Sequence, residues 1–160
     1  MFNITVADLN ASDQAIVIVA MLDDYAKDIM GGGEALPALT KSNLIHALRQ
    51  RNDCCVIVAW ANDQPAGMAI CFEGFSTFAC KPTFNIHDLF VVASFRGRGL
   101  SRLLLEKAES IAAERGCCKL TLEVLEGNHA AQHVYKKFGF EGYQLNPEMG
   151  RAMFLQKKLK

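Results

Sequence analysis

Apolar and polar positions follow two different periods along the chain, and these divide it into predicted strands and helices. Strands are predicted where apolar residues alternate or run together between turn signals. The turn NDQP indicates an antiparallel hairpin of the second and third strands, and Gly74 is expected to bend the third. The first five predicted strands are FNITV (2–6), CCVIVAW (54–60), AGMAICFEGFSTF (66–78), NIHDLFVV (85–92) and KLTLEVL (119–125).

Four segments have the three-to-four-residue apolar spacing of helices. Ser12 is expected to cap a first helix that reaches about Lys27, and a glycine run at 31–33 separates it from a second helix near 41–50. A third helix follows the glycine-rich turn after the fourth strand and ends at Gly116. Asn128 caps a fourth, with Gly139 at its left-handed end. Segments 140–145 and 151–159 are predicted as the last two strands.

The predicted order of elements is β-α-α-β-β-β-α-β-α-β-β. This order predicts an α/β fold with one mixed sheet, because a right-handed crossover through the third helix makes strands four and five parallel. A length of 160 residues fits a single domain over positions 1–160.

Composition limits the classes of protein to which the chain can belong. The longest apolar run, Ala15–Leu22, is too short to span a bilayer, and the N-terminus lacks the pattern of a secretory signal. We therefore expect a cytoplasmic protein without a membrane partner. The six cysteines match neither a zinc nor a CxxC redox spacing, so they are interpreted as thiols that bind no metal.

Charge is balanced in total and uneven along the chain. Seventeen basic and seventeen acidic residues cancel, which argues against a nucleic-acid partner. Residues 1–34 carry an excess of acids, and Lys27 is the one basic residue among them. Arginines 96, 98 and 102 cluster instead at the turn before the third helix. The chain therefore offers separate anionic and cationic regions.

The turn FRGRGLS (95–101) has the features of an anion site. A helix start leaves backbone N–H groups unpaired at its positive end, and glycines let a ligand approach them closely. A Walker loop is excluded because Leu100, not lysine, follows Gly99. A dinucleotide-binding turn is the weaker alternative, since Arg102 stands where that motif needs its third glycine.

Two segments resemble the signatures of one enzyme family. Residues 96–101, Arg-Gly-Arg-Gly-Leu-Ser, resemble the acyl-CoA signature of the GNAT superfamily of N-acetyltransferases, with Ser101 in the last small position. The segment EGNHAAQHVYKKFGFE is similar to the second half-signature of that family. Its matching residues are Asn128, Ala131, Tyr135, Gly139 and Phe140. The predicted order of elements also resembles the family fold over nearly the whole chain.

The resemblance implies acetyl-CoA as co-substrate and assigns residues to it. In the family acetyl-CoA lies between strands four and five, which splay apart, and no metal takes part. Tyr135 matches the family's proton donor to the leaving thiolate, and the oxyanion would be held by the backbone N–H of Phe90 or Val91. The implied cofactor-binding residues are Leu89, Phe90 and Val91 for the pantetheine, Arg96, Gly97, Arg98, Gly99, Leu100, Ser101 and Arg102 for the diphosphate, and Asn128 and Ala131.

Three residues are candidates for the base that removes a proton from the amine. His87 and Asp88 lie in an apolar strand, where only one can face the acceptor unless a bulge intervenes. The stretch HDLFVV resembles polyamine acetyltransferases, which carry acids at this pair of positions. Asp88 is favoured, His87 is the alternative, and Glu123 is the third candidate.

The sequence thus predicts an enzyme that transfers acetyl from acetyl-CoA directly to a primary amine in a ternary complex. The acidic bias of residues 1–34 favours a small cationic acceptor such as a polyamine or an aminoglycoside. Two alternatives stay open: a non-catalytic acyl-CoA binding or sensing domain, and an acetyltransferase for protein N-termini or lysines. Dimers are common in the family, so a homodimer is also left open.

Overall fold

The computed structural model describes residues 1–159 and places one mixed sheet between two groups of helices. Five strands pair in sequence order, antiparallel except for the last pair, which is parallel. This arrangement confirms the predicted α/β class and the crossover between strands four and five. The strands are β1 (Phe2–Val6), β2 (Cys54–Ala61), β3 (Gln64–Ser76), β4 (Lys81–Val91) and β5 (Leu120–Leu122).

The four predicted helices are present with small changes at their ends. They are α1 (Ser12–Lys27), α2 (Ala38–Arg49), α3 (Leu100–Glu114) and α4 (His129–Phe138). Ser12 does not cap α1, because the N-cap position is Ala11 and no side chain bonds there. Asn128 does cap α4, and Gly139 ends it at a φ of 109°. Within residues 1–159 no helix has both the length and the hydrophobicity to cross a membrane.

Both faces of the sheet are buried, which explains why β2 is apolar at nearly every position. Alternate side chains of β2 point to opposite faces, so Ile57 packs on the α3 side and Val58 on the α1 side. On one face, α3 contributes Leu104 and Leu105, which are fully buried. On the other, Ile18 of α1 and Leu48 of α2 cover β2 and β3. The two cores pack against both faces of the sheet that carries the candidate site.

A β-bulge interrupts the pairing of β3 with β4. Ile70 pairs with Asp88, but the next residue, Cys71, pairs with Ile86, so His87 is the extra residue on β4. Gly74, where a bend in β3 is expected, carries no bulge, since it pairs with Thr83 in regular register. The bulge between β3 and β4 lies on β4, and β3 has a separate one at Ala66 where it pairs with β2.

β4 and β5 pair over a short distance only. Their register runs from Phe84 opposite Leu120 to Ile86 opposite Leu122 and stops there. β4 continues to Val91, so its residues 87–91 have no β5 partner. We call this stretch of β4 the open edge.

The last two predicted strands, 140–145 and 151–159, are not formed. A single backbone bond joins the two segments, from Ala152 N–H to the Tyr143 carbonyl at 2.9 Å. Between them the chain turns through a short 3-10 helix, Pro147–Met149, which Asn146 caps. Gly142, which has no side chain to pack, disfavours a strand over 140–145.

Candidate active site

The turn between β4 and α3 presents bare backbone to solvent. Gly97 and Gly99 have left-handed φ angles of 73° and 77°, and a Cβ added at either would meet no atom within 4 Å. Gly99 is the N-cap of α3 and no side chain caps the helix there. In the described part of the chain, the N–H groups of residues 97–99 donate to no carbonyl or side chain. The turn therefore leaves its donors available for an anion.

The open edge of β4 has its own unpaired backbone groups. The Phe90 carbonyl faces β3, since a Cβ on Gly67 would lie 2.7 Å from it. Because backbone groups alternate in direction along a strand, those of Leu89 and Val91 face away from β3, toward the gap beside β5. Of the three residues implied to bind pantetheine, Leu89 and Val91 thus point into the gap, and Phe90 does not.

The arginines of the turn contact the protein itself. Arg96 donates from Nε to the Val91 carbonyl at 3.0 Å and from an Nη to the Asp28 carboxylate at 2.8 Å. The Met30 N–H and the Arg96 guanidinium together lower the pKa of Asp28. Arg98 lies over the ring of Phe2, 5.0 Å from its centroid. Arg96 therefore ties the turn to the segment after α1, in addition to any role toward a ligand.

The other residues that the resemblance implies as cofactor-binding lie at the starts of α3 and α4. Leu100 is buried beside Gly67, whereas Ser101 and Arg102 begin the first turn of α3 nearer solvent. Arg102 pairs with Glu106, one helical turn on, at 2.7 Å. At α4 the Asn128 side chain accepts from the N–H of Ala131 at 3.1 Å.

A cavity of about 340 Å³ lies on the opposite face of the sheet from α3. We call it the acceptor cavity. His87 and Asp88 both line it, which the bulge allows, because the extra residue places two consecutive side chains on one face. The ring of His87 packs edge-on against Phe72, with 5.5 Å between centroids. The full lining is Leu22, Tyr25, Ala26, Gly31, Leu36, Leu44, Leu48, Ile70, Phe72, His87 and Asp88.

Asp88 is the partly buried member of the histidine and aspartate pair. His87 is exposed at the side of the cavity, whereas the Asp88 side chain is half-buried. Burial raises the pKa of Asp88, and the charge of His87 opposes part of that rise. A carboxyl with a raised pKa in a cavity wall is suited to take a proton from an ammonium.

Tyr135 lies on the inner side of α4 and is half-buried. Its ring makes an edge contact with Phe140 at 5.9 Å between centroids. Burial, with a smaller contribution from Tyr25, raises the pKa of Tyr135 to about 12. The phenol therefore keeps its proton over the whole physiological range, as a proton donor must.

Glu123, the third candidate base, follows β5 and is exposed. Its carboxylate lies 3.5 Å from the Asn85 amide, which also bonds Thr121 at 3.0 Å. Glu123 is not among the residues that line the acceptor cavity. The structure thus brings together two of the three candidates, His87 and Asp88.

Tyr25 is the cavity residue that sequence reasoning missed. It projects from α1, and its ring lies 5.7 Å from that of Phe90 on the open edge. Burial and the charges of Asp88 and Asp28 raise its pKa. The signal in the sequence was an aromatic within the charged run DDYAKD that continues the apolar stripe of Ile18, Met21 and Leu22.

The described residues contain no group of three or more His, Cys, Asp or Glu side chains arranged to hold a metal ion. All six cysteines are free thiols, two of them buried. Burial raises the pKa of Cys71, so this thiol is protonated and packs as an apolar group.

The parallel strand pair stops at Ile86 beside a glycine-lined helix start, which is the arrangement that the resemblance in the sequence predicts. The family model of the acetyltransferase (GNAT) family matches residues 19–140. The chain therefore belongs to the GNAT acetyltransferase family.

Relatives and solved structures agree with this assignment. An uncharacterised N-acetyltransferase of Methanocaldococcus jannaschii is 34% identical over 59% of this chain and 42% of its own length. A thialysine N-epsilon-acetyltransferase of Caenorhabditis elegans is 24% identical over 84% of this chain and 79% of its own. A crystal structure of a probable acetyltransferase superimposes with a TM-score of 0.82 at 20% identity, covering 99% of both chains. The chain spans 42% and 65% of the first two curated relatives, the second being an uncharacterised N-acetyltransferase of Bacillus subtilis.

Proposed function

We propose that this protein transfers an acetyl group from acetyl-CoA to a small cationic primary amine, directly within a ternary complex. One observation carries the proposal: β4 loses its β5 partner after Ile86, between the bare turn at 97–99 and the cavity that holds Asp88. A thioester lying along this gap would have its diphosphate at one end and the acceptor amine at the other.

The backbone of the turn and of the open edge fits acetyl-CoA. The free N–H groups of residues 97–99 and the first turn of α3 would bind the diphosphate, and the Cβ-free glycines permit close approach. Leu89 would pair with the pantetheine amides through its N–H and carbonyl, whereas Val91 offers only its N–H, because its carbonyl already accepts from Arg96. Since the Phe90 carbonyl faces β3, Val91 is the better candidate of the two for binding the oxyanion.

The reaction removes two protons from the ammonium nitrogen, supplies one to the departing thiolate and releases the other to solvent. Asp88 would take a proton from the ammonium, and the free amine nitrogen would attack the thioester carbonyl carbon. The C–S bond then breaks, the amide forms, and Tyr135 would give its proton to the thiolate to yield CoA. The second proton of the amine nitrogen, lost as the amide forms, would pass through water to the Tyr135 phenolate, and the proton on Asp88 would leave to solvent, which restores both groups.

Amine-dependent release of CoA thiol from acetyl-CoA tests this function. We expect release to require both substrates and to give intersecting initial-rate plots, as direct transfer in a ternary complex demands. Tight binding of acetyl-CoA without release for any amine would leave the domain an acyl-CoA binder or sensor. Turnover restricted to peptides or proteins would replace the small-molecule acceptor.

Gly99→Ala should raise the Kd for acetyl-CoA about tenfold or more, because the turn can no longer hold its N–H groups at the diphosphate without strain. Titration calorimetry measures this directly. Gly116→Ala is the matched control, since Gly116 also has a left-handed φ, of 69°, and an added Cβ would meet no atom within 4 Å.

Both alanines carry a similar folding cost of about 1 to 2 kcal/mol, so a common loss of stability cancels in the comparison. Gly116 lies at the far end of α3, so its variant should bind acetyl-CoA as the wild type does. Equal affinity in all three proteins would show that the turn is not the diphosphate site.

A further inference from the structure

The acceptor cavity is apolar apart from one group of side chains around Asp88. His87, Asp88 and Tyr25 supply its polar atoms, and Asp88 is the only acid that lines it. The remaining side chains are aliphatic or aromatic and come from both helices and from β3: Leu22, Ala26, Leu36, Leu44, Leu48, Ile70 and Phe72. One end of the cavity therefore offers a carboxylate to a cation, and the rest of the wall offers none.

Two of the acids in residues 1–34 are paired within the fold, although the charge of Asp28 still acts on Tyr25 in the cavity wall. Asp23 pairs with Lys27 at 2.6 Å and with Lys41 at 3.4 Å, and it also accepts from the Leu36 N–H. Asp28 pairs with Arg96. Asp23 and Asp28 are thus used inside the fold, which weakens the acidic bias of the sequence as evidence for a polycation.

The wall at Phe72 carries no net negative charge. The Arg51 guanidinium lies over the ring of Phe72, 5.1 Å from its centroid. Arg51 is itself bound to Asp53 at 2.6 Å, so the two charges cancel. A second ammonium group on the acceptor would find no carboxylate at this end.

We infer that the acceptor has one amine and an apolar body: an alkyl or arylalkyl monoamine, not a polyamine or aminoglycoside. This inference rests on the proposed function and names its substrate class. The amine would lie at Asp88 beside Tyr25, and the body would lie among the leucines and Phe72. A volume of about 340 Å³ corresponds to roughly eleven water molecules, which suits a body of about ten non-hydrogen atoms.

Two amines of equal size test the inference. Heptylamine and hexane-1,6-diamine have the same number of non-hydrogen atoms and differ only by a terminal methyl in place of a second ammonium. We expect kcat/KM to be at least about tenfold higher for heptylamine, after the two equivalent amines of the diamine are counted, because burying an unpaired ammonium in an apolar wall is costly. Initial rates of CoA release with each amine measure the ratio.

Leu36→Glu should shift this preference toward the diamine. Leu36 lies on the loop before α2, is only partly buried and lines the cavity, so the variant adds a carboxylate to the wall without disturbing the two cores. Leu39→Glu is the matched control, because Leu39 is 73% exposed and outside the cavity. The control should keep the preference of the wild type.

The outcomes separate this inference from the proposed function. Turnover of hexane-1,6-diamine equal to or better than that of heptylamine overturns the monoamine inference and leaves acetyl transfer standing. An unchanged amine ratio in folded Leu36→Glu also overturns it. Absence of CoA release with any amine overturns the proposed function, and it overturns the inferred substrate class as well.

Discussion

Tyr135→Phe should lower kcat by about a hundredfold or more while leaving the Kd for acetyl-CoA close to that of the wild type. The change removes the proton donor to the leaving thiolate, a role that contributes about 10² to 10⁴ in rate. The ring and its edge contact with Phe140 are kept, so the fold is not expected to suffer. Discontinuous assays of CoA release at saturating concentrations of both substrates measure kcat.

Tyr143→Phe is the matched control for this prediction. Tyr143 is 55% exposed, and its ring lies beside Lys119, so it loses the same hydroxyl away from the site. Since the pKa of Tyr135 is about 12, loss of its proton should cause no fall in kcat between pH 7 and about 10. Full activity of Tyr135→Phe would mean that water protonates the thiolate.

Asp88→Asn should lower kcat/KM by about a hundredfold near neutral pH and replace the acidic limb set by Asp88 with one set by the amine itself. The base acts as a carboxylate, so the wild-type rate falls as pH drops through the pKa of Asp88, which burial has raised. In the variant the rate should recover only as pH rises toward about 10, where the free amine forms without a base. The pH dependence of kcat/KM for the amine gives both limbs.

His87→Ala distinguishes the two bases in the cavity. If Asp88 is the base, the alanine variant keeps an acidic limb. The limb should shift to higher pH, because the His87 charge that lowers the pKa of Asp88 is gone. Loss of the limb in His87→Ala would transfer the role to the imidazole. Unchanged profiles in both variants would return it to Glu123 or to water.

The Asp88→Asn variant should also be more stable than the wild type at pH 7. A carboxyl whose pKa is higher in the folded than in the unfolded state destabilises the folded protein when it is ionised, and this cost disappears as pH falls through the folded pKa. Asparagine is neutral at every pH. The Tm of the variant should therefore exceed that of the wild type at pH 7, and the difference should vanish at low pH, where Asp88 is protonated. Calorimetric melts at the two pH values test this, and a lower Tm at pH 7 would contradict it.

The elements that carry the fold could be predicted because their patterns are local. The apolar stripe of α3, the cap at Asn128 and the left-handed Gly139 depend on residues within one or two turns of each other. The strand at β2 likewise follows from an unbroken apolar run. Such signals need no knowledge of distant contacts, which is why these predictions held.

The bulge at His87 could not be read from the sequence. It depends on the register that β3 and β4 reach together, and no residue type marks it. It nevertheless decides the chemistry of the cavity, because without it His87 and Asp88 would face opposite sides of the sheet. Asp23 and Asp28 illustrate the same limit, since each is neutralised partly by a partner far along the chain, Lys41 and Arg96.

A crystal structure of the protein with CoA tests the central claim most directly. The account predicts diphosphate oxygens within hydrogen-bond distance of the N–H groups of residues 97–102, pantetheine along Leu89 and Val91, and the thiol directed toward Tyr135. CoA bound elsewhere on the protein, or a gap between β4 and β5 that stays empty at saturating CoA, would contradict it.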